Sequence, residues 1–128
     1  MKLTTTLLTA ALAALAGGAA AKNYYPVYFQ PPNNWIPSER LFPSRIIKQV
    51  KAPLHDHVLD EFTEMMKGEC DGQDVCTAFS FHNENDPTQG RPMWNGYLYT
   101  GGPVTPRDFN RDEDAIRHVA DSHAYNLG

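Results

Sequence analysis

The sequence predicts an α+β domain: a small antiparallel sheet packed around one main helix, preceded by an extended arm rich in proline and aromatic residues. Apolar residues recur at near-helical spacing after Pro53, at Leu54, Val58, Phe62 and Met65. Two cysteines, Cys70 and Cys76, follow directly. Beyond them, two short runs, Cys76 to His82 and Trp94 to Tyr99, are rich in aromatic residues and read as strands.

An export leader is expected first in the chain. Lys2 precedes an apolar stretch from Leu7 to Leu15, and Ala19 and Ala21 are placed as a small-residue cleavage site. Three segments result: a signal peptide over 1–21, the arm over 22–53 and the α+β core over 54–128. The mature chain is expected to start at Lys22. The apolar stretch is too short to cross a hydrocarbon layer of about 30 Å comfortably, so stable membrane insertion is not expected. The expected address is secreted and extracellular, where the oxidised form of a cysteine pair is the default. The mature length suits one small domain with one modest core.

Formal charge at neutral pH is −4. An acidic balance without a basic cluster argues against nucleic acid and anionic membranes as partners. No Asn-x-Ser/Thr site for N-linked glycan occurs.

In the arm, Pro26, Pro31, Pro32, Pro37, Pro43 and Pro53 alternate with Tyr24, Tyr25, Tyr28, Phe29, Trp35 and Phe42. Proline removes backbone donors and pushes its predecessor toward extended geometry, so this segment should be extended or turn-rich. Its aromatic density argues that it packs, either on the domain's own core or on a partner. Arg45 to Lys51 is its best strand, with Ile46, Lys48 and Val50 facing one way and Ile47 and Gln49 the other.

The helix is expected over Leu54 to Lys67, with Leu59 and Met66 widening its stripe. Asp56, Asp60 and Glu61 suit the early turns, and Gly68 is placed to end it. Cys70 and Cys76 then close a small ring as a disulfide joining the helix end to the next strand. Asn83 to Pro92 reads as a polar loop, which makes the two aromatic runs a long-looped hairpin. Gly101-Gly102-Pro103 stops the second strand. At the C-terminus, helical and extended patterns compete over Asp112 to Leu127, and a short helical turn followed by a strand is preferred.

A helix, the Cys70-x5-Cys76 pair, the Thr77-Ala78-Phe79-Ser80-Phe81 strand and the later Trp94-Asn-Gly-Tyr-Leu-Tyr strand together resemble the PAN/apple domain family, in its divergent secreted fungal members. The likeness spans about Val58 to Tyr99. It implies a sheet around one helix and recognition of protein or carbohydrate, and it would suit a small secreted virulence effector. The family's second bridge, from the helix to the hairpin, has no counterpart here: Met65, Met66 and Gly68 stand where its cysteine would.

Signals for chemistry are sparse. His55 and His57, near Asp56 and Asp60, lie about 200° apart on a helix and lack the i, i+4 spacing of a helical zinc pair. His118 and His123 flank Asp121, yet no Gly-x-Ser-x-Gly elbow or spare cysteine supplies a nucleophile. Asp56, Asp60, Glu61, Glu64, Asp108, Asp112, Glu113 and Asp114 are too many to single out a glycosidase pair. Gly101-Gly102 is followed by a proline without an N–H, which suits a turn better than a phosphate cradle.

The expected function is therefore a secreted, non-catalytic binding module, without metal or cofactor, acting as a monomer on an extracellular protein or glycan. Its expected contact surface combines Trp94, Tyr97 and Tyr99 with the 83–93 loop and Arg91. A secreted hydrolase or metal-dependent enzyme is the alternative, and a structural cell-wall or spore-coat protein a third reading.

Overall fold

The computed structural model describes residues 22–128, so the predicted signal peptide over 1–21 lies outside the described residues. Strands β1 (Tyr24–Pro26), β2 (Trp35–Pro37) and β3 (Ile46–Pro53) precede helix α1 (Leu59–Asp71). Strands β4 (Ala78–Asp86), β5 (Arg91–Tyr99), β6 (Phe109–Arg111) and β7 (Ala120–Leu127) follow it. Five strands form an antiparallel sheet in the order β1-β7-β4-β5-β3, and β2 pairs with β6 in a second, two-stranded sheet. The predicted α+β class, one main helix on a small antiparallel sheet, is the observed one. Among the described residues no helix is long and apolar enough to cross a membrane.

Period-two alternation sends successive side chains of each strand to opposite faces, and both faces of this sheet are covered. On one face α1 lays Phe62, Met66 and Cys70 against Phe79, Phe81, Trp94 and Leu98. Those helix positions are spaced i, i+4, i+8 and so share one side. The predicted stripe is rotated relative to this: Val58 is exposed and Met65 only partly covered. The helix begins five residues later than expected because His57 stays extended, its carbonyl accepting the Trp94 indole N–H at 2.8 Å. Glu61 then accepts the Val58 backbone N–H at 3.2 Å, which satisfies one free donor of the first turn.

Gly68 does not end the helix. The last turn runs to Asp71, where Gly72 N–H bonds the Gly68 carbonyl and Lys22 Nζ bonds the carbonyls of Cys70 and Gln73, both at 3.1 Å. The Lys22 backbone N–H meets the Asp71 carboxylate at 3.3 Å. Cys70 and Cys76 are bonded to one another with Cα atoms 5.4 Å apart, at the junction of α1 and β4 as expected.

The opposite face is covered by the arm. Phe29, Leu41, Val104 and Phe109 pack with Ala78, Tyr97, Tyr99 and Ala124, and Trp35 joins from β2. Phe29, Trp35 and Leu41 of the arm thus pack into the protein's own core, whereas Tyr25, Tyr28 and Phe42 are exposed, and β3 is an edge strand of the main sheet. A bulge between Ile46 and Lys48 corrects the expected alternation: Ile46 joins the arm-side cluster, whereas Ile47, Val50 and Ala52 join the helix side.

Beyond the second sheet, a turn over residues 115–117 precedes β7, the order preferred from sequence. The expected long loop at 83–92 is replaced by strand. β4 runs on to Asp86 in register with Arg91, and only residues 87–90 turn. Gly90, with φ at +69°, takes the left-handed position there.

Candidate functional site

The extension of β4 carries the site. Ala78, Ser80, His82, Glu84 and Asp86 alternate with Phe79 and Phe81, so the strand shows aromatics to α1 and a polar ladder to the other face. Every member of that ladder is buried. Ser80 shares a 2.6 Å hydrogen bond with the Tyr99 hydroxyl, while Asn95 donates to Tyr97 Oη at 3.1 Å and accepts from Gln49 at 2.8 Å.

Toward the hairpin tip the ladder becomes ionic. Glu84 Oε1 lies 2.5 Å from His82 Nε2 and 2.9 Å from the Arg117 guanidinium, which also reaches Asp112 at 2.8 Å. A carboxylate only accepts, so Nε2 carries the proton. Burial alone would raise the Glu84 carboxyl, but the hydrogen bonds from His82 and Arg117 outweigh it and hold the group at about 2. Asp86 is held well below the usual carboxylate range, first by hydrogen bonds from Lys51 and Thr88. Its Oδ2 accepts Lys51 Nζ at 2.7 Å, and its Oδ1 accepts both the Thr88 backbone N–H and hydroxyl. Both carboxylates are thus ionised and spoken for, although only 5% and 3% exposed.

The wall facing this ladder is the turn before β7. Asp114 accepts the backbone N–H groups of Ile116 and Arg117 at 2.8 and 3.3 Å. Asn85 clasps the turn to β4, its N–H bonding the Arg117 carbonyl and its amide the Ile116 carbonyl. Between turn and hairpin tip lies a cleft of about 690 Å³, the size of a small-ligand or peptide pocket. Pro87, Pro92 and Ile116 give it apolar walls, and Lys51, Arg91 and Arg117 contribute cations.

Trp94, Tyr97 and Tyr99 do not form the contact surface expected from sequence. They are 2%, 5% and 0% exposed, because α1 covers one sheet face and the arm the other. Trp94 stacks on Phe62 at 5.3 Å within the helix-side core. Burial raises the hydroxyl pKa of both tyrosines, as it must when the charged form would sit in the interior. Of the four residues only Arg91 is exposed, and it lines the cleft.

The histidines stay apart. His57 pairs with Glu61 at 3.6 Å, His55 sits exposed in a single 3-10 turn, and His123 packs on Phe81 with its pKa lowered by burial against the opposing pull of Asp121. Among the described residues no three His, Cys, Asp or Glu side chains gather as a metal site would require.

His82, Glu84, Asp86, Lys51 and Arg117 are what the sequence reading missed. The alternation Ala78-Phe79-Ser80-Phe81-His82 signals only the start of the ladder, because from His82 to Asp86 every residue is polar and Asn83, Asn85 and Asp86-Pro87 favour turns. The chain matches no family model, and no curated protein or solved structure gives a significant match.

Proposed function

We propose that the chain is a secreted, non-catalytic recognition module that holds an extracellular protein or carbohydrate in the cleft between the β4–β5 tip and the 114–117 turn. The observation that carries this reading is the cleft itself: a concave site with apolar walls, closed on its ladder side by ionised carboxylates whose hydrogen bonds are already made. Such a floor is rigid, and its carboxylates are held ionised by His82, Arg117 and Lys51, which suits holding a ligand more than transforming it. His82, 1% exposed beside Glu84, is shut away from anything bound in the cleft.

The helix, its adjoining disulfide and the antiparallel sheet support the PAN/apple-like reading, and export rests on the leader together with the oxidised pair. From that resemblance follows the biological role we favour, a small secreted effector acting at a host surface. Fold alone never fixes function, so the cleft must be tested directly.

The test is a glycan array and a secreted-protein array probed with the wild-type chain, Ile116→Asp and Val75→Asp. Ile116 stands 85% exposed at the cleft, whereas Val75 is exposed in the disulfide loop. Binders should be lost with Ile116→Asp, kept with Val75→Asp and recovered chemically unchanged. Equal behaviour of the two variants, or a cleaved ligand, would overturn the proposal.

A further inference from the structure

We infer that the cleft takes an acidic, extended peptide segment of a partner protein, its carboxylates met by Lys51, Arg91 and Arg117 and its apolar side chains by Pro87, Pro92 and Ile116. This rests on the cleft being the binding site.

Formal charges along the cleft balance, since Glu84, Asp86 and Asp114 oppose the three cations. What differs is which groups are spent. Asp86 uses both oxygens, Glu84 accepts two donors and Asp114 caps two backbone N–H groups. The cations keep donors in reserve. Lys51 spends one N–H on Asp86 while its side chain is 31% exposed, and Arg117 spends two of its five while 33% exposed. The Arg91 side chain makes no hydrogen bond among the described residues and is exposed. A ligand entering the cleft therefore meets unspent donors on all three cations, and Arg91 is the one lining ion whose side chain has no partner among the described residues. In a chain with net charge −4, a cleft whose formal charges balance repels carboxylates less than the chain's net charge would, and its free arginine would attract and orient them.

The walls favour peptide over sugar. Sugars stack on flat aromatic faces, and the rings that could have served, Trp94, Tyr97 and Tyr99, are sealed in the two cores. Proline and isoleucine walls, with Ile116 almost fully exposed, are surfaces that a partner's aliphatic side chains cover.

Isotope-labelled protein secreted from the full-length chain would be titrated with three probes and its amide shifts mapped. The probes are a capped hexapeptide alternating glutamate with leucine, its glutamine counterpart, and hexagalacturonate as a sugar source of the same carboxylate. The acidic peptide should shift amides at 84–92 and 114–117, bind more weakly as salt is raised, and lose about fivefold in affinity on Arg91→Glu. Equal binding of the glutamine peptide there would overturn the acid preference and leave the cleft reading standing. Shifts from hexagalacturonate alone would replace peptide by sugar. Absence of any shift with the acidic peptide refutes the inference, and shifts confined to other surfaces would sink the cleft reading as well.

Discussion

The two faces of the main sheet are made by the same strands and held by opposite means. Toward α1, Phe62, Phe81 and Trp94 form a closed triangle of rings with centroids 5.3 to 5.7 Å apart, Met66 and Leu98 fill the rest, and the disulfide seals one end. Toward the arm, β4 and β5 bury Ser80, His82, Glu84, Asp86 and Asn95 alongside Tyr97 and Tyr99. The dry face needs only shape. The polar face needs every donor and acceptor matched, and no buried side-chain nitrogen or oxygen among the described residues lacks a partner. One strand can therefore supply bulk stability and a rigid ionic site together, because alternation keeps the two tasks on separate surfaces.

The contrast can be broken from either side. The largest effect is expected from Phe62→Ala, which removes the centre of the ring triangle and should cost about 3–5 kcal/mol in chemical denaturation. Peptide binding at the cleft should persist under conditions where the variant remains folded; loss of binding in the folded variant would show the faces to be coupled. Replacing Cys70 and Cys76 by alanine should cost ~2 kcal/mol, the entropy of so short a closed loop, measured by the urea midpoint with and without reductant.

The smallest effect at neutral pH belongs to the polar face. Glu84→Gln keeps the shape but removes a charge from His82 and Arg117, at about 1.5 kcal/mol. Its signature is in acid. A carboxyl held at about 2 in the folded chain, against an ordinary value of 4.5, contributes stability that is complete above 4.5 and is lost as pH falls toward 2. Asp86 acts in the same direction. Wild-type stability should fall across that window more steeply than that of Glu84→Gln, and parallel curves would show that Glu84 contributes nothing to it.

Much of the dry face was legible because it obeys simple periods. Phe62, Met66, Phe79 and Phe81 declare a helix side and a strand side without help from the rest of the chain. The polar face was not legible, for a physical reason. Asn83, Asn85 and Asp86 favour turns locally, yet in place they pair with Trp94, Pro92 and Arg91 across the hairpin, and tertiary pairing overrides local preference. The same distance effect hid the burial of Tyr97 and Tyr99: their cover includes Phe29 and Leu41, more than fifty positions away in sequence. Arg117 could be assigned to Glu84 only once the 114–117 turn was seen clasped to β4.

Lys22 has a consequence of its own. Its side chain holds the carbonyls of Cys70 and Gln73, and its backbone nitrogen meets Asp71. Cleavage after Ala21, where the leader is expected to be cut, would convert that nitrogen from an amide into an ammonium 3.3 Å from a carboxylate. Maturation would then do more than release the chain: it would place a new positive charge at the negative end of the helix dipole, so that the processed protein is electrostatically better matched than its precursor.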